Sequence, residues 1–218
     1  HGGPDDLVQV VTDGSVEKTQ ELMQSVDVVV ATGGAAMVKS AYSSGKPSFG
    51  VGAGNVPVIL DRNINLKEAI EKIVAGASFD HGIICSHEQF VLAPDEQYEE
   101  ALGLFIETGK VWYTDDPKLV QKLRDVVFPD GRLNKDVVGI PAREIAKMAE
   151  IDIPLCTKLI VLPASGAGTE DLLAKEKLCP VIAIMRYESF DDAVAKAKAN
   201  LLVEGAGHSA ALHSHNND

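Results

Sequence analysis

The sequence predicts an α/β protein built on parallel sheet. Short, continuous apolar runs alternate with amphipathic stretches that carry helix caps, and a Thr-Gly-Gly turn joins one such run to the helix after it. Residues 7–11 are the first short apolar run. Ser15 can cap a helix reaching about residue 25, with Glu17 in its first turn and Leu22 and Val26 four apart. Residues 26–31 read as an apolar run broken only by Asp27, the pattern of a strand buried on both faces. Thr32-Gly33-Gly34 follows, then a helix over 35–44 closed by Gly45 and Pro47. Strand, helix, strand, glycine turn and helix in this order make half of a doubly wound fold.

A glycine-rich turn over 50–55 separates that half from a strand at 56–60. Asn65 and Glu68 stand at capping-box spacing, and Ile70, Ile73 and Val74 give the following helix its apolar face. Residues 90–92 read as a strand. Asp95 is expected to cap a helix over Tyr98, Leu102 and Phe105, and Asp116-Pro117 opens another with proline at its first position. A further helix spans 141–149. Residues 159–162 and 181–185 read as buried strands, 190–202 as an amphipathic helix and 209–213 as a last strand. The loop at 165–169 is the softest by composition. No internal repeat or low-complexity stretch interrupts this order.

Composition excludes several function classes. At 45% hydrophobic residues over 218 positions the chain can bury a core, so general disorder is excluded. A net charge of −12 opposes a nucleic-acid surface, which needs clustered Lys and Arg. No apolar run has membrane-spanning length and no secretory signal opens the chain. Cys85, Cys156 and Cys179 are odd in number and widely spaced. They form neither a disulfide framework nor a zinc pattern, and a reducing cytoplasm is the expected setting. His213 and His215 give a His-x-His pair without supporting carboxylate or cysteine spacing, so no metal is expected.

Four segments carry possible chemistry. Thr32-Gly33-Gly34 lies between a strand and a helix, where backbone N–H groups can hold phosphate; a plain tight turn reads equally well. Cys85 ends Phe79-Asp80-His81-Gly82-Ile83-Ile84-Cys85, between an expected helix and an expected strand. A thiolate there would be a nucleophile, although a cysteine beside isoleucines is more often core. Glu176 stands in Lys175-Glu176-Lys177-Leu178-Cys179-Pro180, where a solvated carboxylate is the plainer reading. His208 closes Gly205-Ala206-Gly207-His208, with a pKa range suited to proton transfer or to a structural hydrogen bond.

Together these segments resemble the aldehyde dehydrogenase superfamily, and most closely its CoA-acylating branch, which includes the aldehyde half of bifunctional aldehyde–alcohol dehydrogenases. The resemblance implies an aldehyde dehydrogenase-like α/β fold, with a remnant of a Rossmann-type coenzyme domain over 1–50 and an α/β catalytic domain over 51–218. It implies that Cys85 is the nucleophile, with its backbone N–H as an oxyanion donor, and that His208 lies near the reacting thiol. Thr32, Gly33 and Gly34 would face the pyrophosphate of NAD or NADP, Met37 would lie near the adenine, and Glu176 would hold the nicotinamide ribose. His81 stands where acylating relatives usually have asparagine, His87 is also unusual there, and Cys179 replaces the usual Ser or Gly as a packing residue.

Hydrolysing members carry Glu-Leu-Gly-Gly-Lys with a water-activating glutamate. The matching segment here is Val51-Gly52-Ala53-Gly54-Asn55, with Val51 in the glutamate's place. Thiolysis by coenzyme A is therefore favoured over hydrolysis, because a thiol nucleophile needs less help than water. The implied reaction takes a small aldehyde, CoA and NAD(P)⁺ to acyl-CoA and NAD(P)H, reversibly, in a parent that is a homo-oligomer. The resemblance also implies a partial chain. The first half of the coenzyme domain would precede it, and the end of the catalytic domain and the oligomerisation segment would follow, so the activity is that of the parent. Three alternatives remain: a hydrolysing aldehyde dehydrogenase, a phosphate-dependent semialdehyde reductase such as glutamyl phosphate reductase, and a structural module in the filament of a bifunctional enzyme.

Overall fold

The computed structural model describes residues 2–216 and divides into two compact units, with the boundary between Gly52 and Ala53. The first unit holds α1 (Val16–Ser25), β1 (Val29–Thr32), α2 (Ala35–Tyr42) and β2 (Ser48–Val51). Ser15 caps α1 as expected, its side chain accepting from the Lys18 N–H. β1 and β2 are parallel, in register from Val29 opposite Ser48 to Thr32 opposite Val51. Met23, Val29, Ala31 and Ala41 make a small core.

Three expectations for this unit need correction. Residues 7–11 form no strand, and Leu7, Val8, Val10 and Val11 are exposed. An apolar run becomes a strand only where a neighbour takes its backbone hydrogen bonds, and none pairs with this run among the described residues. The run at 26–31 starts pairing only at Val29 and is buried on one face, with Val30 75% exposed. Finally, β2 runs through Gly50 and Val51, which the glycine content had suggested were turn.

The second unit is a three-layer α/β/α structure. Its elements are β3 (Val56–Leu60), α3 (Leu66–Ser78), β4 (Glu88–Pro94), α4 (Tyr98–Glu107), β5 (Val111–Tyr113), α5 (Pro117–Val127), α6 (Ala142–Met148), β6 (Leu159–Pro163), β7 (Val181–Tyr187), α7 (Phe190–Val203) and β8 (Ala211–His213). The sheet order is β5-β6-β7-β4-β3-β8, and each neighbouring pair is parallel. Alternate strand residues serve opposite faces. Phe90, Leu92, Ile160, Leu162, Val181 and Ala183 pack with residues of α5, α6 and α7, whereas Val91, Ala93, Val161, Ile182 and Ile184 pack with α3 and α4. Strands apolar on both faces are the signature of a covered parallel sheet, which is why these runs were legible.

The caps of this unit follow local chemistry. The Asn65 side chain accepts from the Glu68 N–H at the head of α3, and Asp116 accepts from the Lys118 N–H at the head of α5, with Pro117 at the first position. Asp95 does not cap α4. It opens a short 3₁₀ turn, Asp95–Gln97, and the helix starts at Tyr98. β5 was not anticipated, since three half-buried residues carry too little periodicity. The loop expected to be softest is anchored instead: Ser165 donates through N–H and Oγ to Asp171, and the Gly168 N–H donates to Asn200 Oδ1 at 2.6 Å. Among the described residues no helix is long and apolar enough to cross a membrane.

Candidate active site

β7, β4, β3 and β8 are adjacent and parallel, so their amino-terminal ends lie side by side. Each candidate segment of this unit, and the Gly54-Asn55 pair besides, leads into one of them. Lys175–Pro180 precedes β7, Cys85 precedes β4, Gly54-Asn55 precedes β3 and His208 precedes β8. Sheet topology thus gathers residues that the sequence spreads from 54 to 208.

Cys85 sits in a turn closed by a bond from the His87 N–H to the Ile84 carbonyl at 3.1 Å. Its thiol is unpaired and half-buried, so it is not the core cysteine that its isoleucine neighbours suggest; Ile83 and Ile84 are themselves exposed. Upstream, Asp80, His81 and Gly82 all adopt left-handed φ values of 45, 55 and 68°. For Asp and His that geometry costs on the order of 1 kcal/mol each and must be held by the surroundings. Gly82 shows how. A side chain there would lie 2.6 Å from the Cys179 carbonyl carbon and 2.9 Å from the Pro180 nitrogen, so the turn is packed backbone to backbone against the approach to β7.

Glu176 is 9% exposed, which rules out a solvated carboxylate. Its Oε1 accepts the Gly54 N–H at 2.6 Å, and its own N–H donates to Glu204 Oε2 at 3.0 Å. Burial pushes its pKa up; the Gly54 bond opposes this, the Glu204 charge adds to it, and His208 and Lys177 oppose it. Lys177 is fully buried, its ammonium donating to the Leu173 and Lys175 carbonyls at 2.8 and 2.7 Å, and burial brings its pKa down to about 8. Gly54 lies between Glu176 and Cys85. A side chain on it would collide with the Cys85 carbonyl and come 2.9 Å from Glu176 Oε1, while one on Gly205 would collide with the Gly54 carbonyl. Cys85, Gly54, Glu176 and the loop carrying His208 therefore form one contiguous group.

His208 is half-buried, with Nδ1 2.9 Å from Ser209 Oγ and its N–H donating to Gly205. His87 is buried beside Gln89, and burial first, then the Lys177 charge, lower its pKa to about 4, so it is neutral at pH 7. Cys179 belongs to the core and its thiol is pushed up to about 12 by burial, in keeping with a packing role. No three metal-ligating side chains converge among the described residues.

In the first unit, Thr32 ends β1 and Gly34 is the N-cap of α2 without a side-chain cap bond. Gly34 has φ of −67°, and a side chain on it would meet nothing within 4 Å. Neither its φ nor any neighbour among the described residues requires a glycine there. Met37, 41% exposed, lines two grooves of about 360 and 680 Å³.

The model of the aldehyde dehydrogenase family matches residues 1–122. The chain belongs to this family. It is 46% identical over 217 residues to an acetylating succinate-semialdehyde dehydrogenase of Clostridium kluyveri, covering 100% of this chain and 48% of that protein. It superposes on an acetylating aldehyde dehydrogenase of Geobacillus thermoglucosidasius with a TM-score of 0.92 and 34% identity, over 99% of this chain and 48% of that one. A propionaldehyde dehydrogenase of Rhodopseudomonas palustris, solved with bound CoA and an acylated cysteine, matches with a TM-score of 0.82 and 29% identity, over 93% and 46%. The chain spans about half the length of each of these aldehyde dehydrogenases.

Reading the sequence of this aldehyde dehydrogenase family member missed Gly54, Asn55, Lys177 and Glu204 as parts of the site. Lys177 and Glu204 look like solvated charges in sequence and are set apart only by tertiary burial and partners. Asn55 carried a usable signal: asparagine after a glycine run is a candidate for positive φ, and its φ is 51°.

Proposed function

We propose that the parent protein is a CoA-acylating aldehyde dehydrogenase, oxidising a small aldehyde to acyl-CoA with NAD(P)⁺ and running in reverse as an acyl-CoA reductase. The observation that carries this reading is the half-exposed thiol of Cys85 in a turn whose backbone abuts Gly54, itself held by buried Glu176, with the His208 loop alongside. The Cys85 thiolate attacks the aldehyde carbon, and the negative charge develops on the oxygen near the Cys85 N–H. NAD(P)⁺, when bound, supplies the hydride acceptor. The carbonyl re-forms as hydride leaves, giving an acyl thioester on Cys85. The CoA sulfur then attacks this thioester, its proton passing to His208, and the Cys85 thiolate departs.

The open approach at Gly34 and the grooves lined by Met37 fit a dinucleotide, with Thr32 and Gly33 in the same turn near its pyrophosphate. Glu176 would accept from the ribose hydroxyls; the Gly54 N–H holds its Oε1 and so fixes the carboxylate. Three unpaired thiols suit a reducing cytoplasm. CoA as acceptor rests on Val51 standing where hydrolysing members have their water-activating glutamate. In the full-length parent, NADH formation without CoA should stop after one turnover and resume when CoA is added. Sustained acid production without CoA, at a comparable rate, would refute thiolysis and favour the hydrolysing alternative.

A further inference from the structure

We propose that Asn55 is the positioning residue of this site: its side-chain amide fastens the Glu176 segment and the His208 segment to the Gly54–Cys85 contact, so that the three are held as one body. The inference rests on the reading of Cys85 and Glu176 given above. Asn55 is fully buried. Its Nδ2 lies 2.8 Å from the Ala174 carbonyl, 3.1 Å from that of Asn200 and 3.2 Å from that of Glu204. Those carbonyls belong to the turn before Glu176, the last turn of α7 and the start of the loop that carries His208.

The bonds close a circuit. Asn55 donates to the Glu204 backbone; the Glu204 carboxylate accepts the Glu176 N–H; the Glu176 carboxylate accepts the Gly54 N–H; and Gly54 is covalently joined to Asn55. Gly205 seals it, since a side chain there would lie 3.2 Å from the Asn55 Cβ and strike the Gly54 carbonyl. Three carbonyl oxygens facing one atom demand a donor, which fixes the orientation of the amide. An aspartate would present an acceptor to all three. Asn55 also holds a left-handed φ of 51°, which asparagine tolerates better than most residues. A group kept at that cost, with every bond directed at the loops of the site, acts on their geometry.

The test uses the full-length parent with Asn55→Asp, which keeps shape and reverses the bonding, and Asn55→Gly, which removes the amide and accepts the positive φ. Hydrogen exchange should rise in residues 174–176 and 204–208 in both variants, a result independent of what Cys85 does. The single-turnover hydride rate should fall about tenfold or more, as expected for reacting groups displaced by a fraction of an ångström. Combined with Glu176→Gln, Asn55→Gly should cost far less than the product of the two single losses, because both act on one carboxylate. Unchanged exchange in the two segments, a hydride rate within about twofold of the parent, or losses that simply multiply would each overturn the proposal. An active Cys85→Ala enzyme would instead overturn the reading of the site and leave the exchange result standing.

Discussion

The two ends of the same four strands are built differently. At the amino-terminal ends of β7, β4, β3 and β8 the polar contacts are buried and directed at backbone: Glu176 to Gly54, Lys177 to Leu173 and Lys175, Asn55 to three carbonyls. At the carboxyl ends they are mostly exposed and run between side chains. Arg186 reaches Asp95 and Glu99 and lies 4.0 Å over the Tyr98 ring, Arg62 pairs with Glu96, and Ser214 donates to Asp61. Exposed ion pairs hold two long side chains in water and contribute little. Buried bonds to backbone leave an unsatisfied group when cut, and so they fix the path of a loop. In open parallel sheets ligands are usually expected beyond the carboxyl ends of the strands. Here the finer positioning lies at the other end, where the candidate nucleophile is.

Four experiments on the full-length parent would break or sharpen this contrast. The largest effect is expected for Cys85→Ala, which should abolish both aldehyde oxidation and acyl-CoA reduction, while Cys156→Ala and Cys179→Ala retain most of each in the same assays. Residual activity of Cys85→Ala above a few per cent would remove the nucleophile from this end.

Next comes Gly54→Ala, whose added methyl meets the Cys85 carbonyl and Glu176. The forced backbone shift should cost roughly 1–3 kcal/mol in urea unfolding and lower activity as well. A variant of parental stability and activity would mean that this contact is slack.

His87, just ahead of β4, gives a pH test. The unfolded chain protonates this imidazole near the ordinary histidine value of 6.5, the buried ring only at about 4. Between these values the unfolded chain holds the extra proton, so stability falls as pH drops from 6.5 towards 4, by roughly 3 kcal/mol in all. His87→Gln should flatten that part of the urea-midpoint profile, and parallel profiles for the two proteins would show that the ring is not held neutral.

The smallest effect is expected at the other end. Arg186→Ala should change unfolding stability by no more than about 1 kcal/mol and shrink further at high salt. A larger loss would show that the ion pairs there are not the weak partners of the contrast.

The fold was legible where burial on both faces left uninterrupted apolar runs, as at β3, β6 and β7, and where caps are written in a few residues, as at Ser15, Asn65 and Asp116. It was less so where pairing decides. Residues 7–11 are as apolar as a strand and are not one, whereas β2 passes through a glycine. For the site, Cys85, Glu176 and His208 could be singled out by their resemblance to family segments, Asn55 offered only its place after a glycine run, and Lys177 and Glu204 offered nothing. A buried lysine or a carboxylate accepting a backbone N–H looks in sequence like any surface charge.

By itself, then, the sequence determined the α/β class, most elements and their caps, because apolar periodicity and capping act over a few neighbouring residues. Only the tertiary structure decided that the segments around residues 54, 85, 176 and 208 meet. Their meeting depends on strand order: β7, β4, β3 and β8 lie side by side and point the same way, and that arrangement comes from the packing of the whole sheet between its helices rather than from any local run of residues.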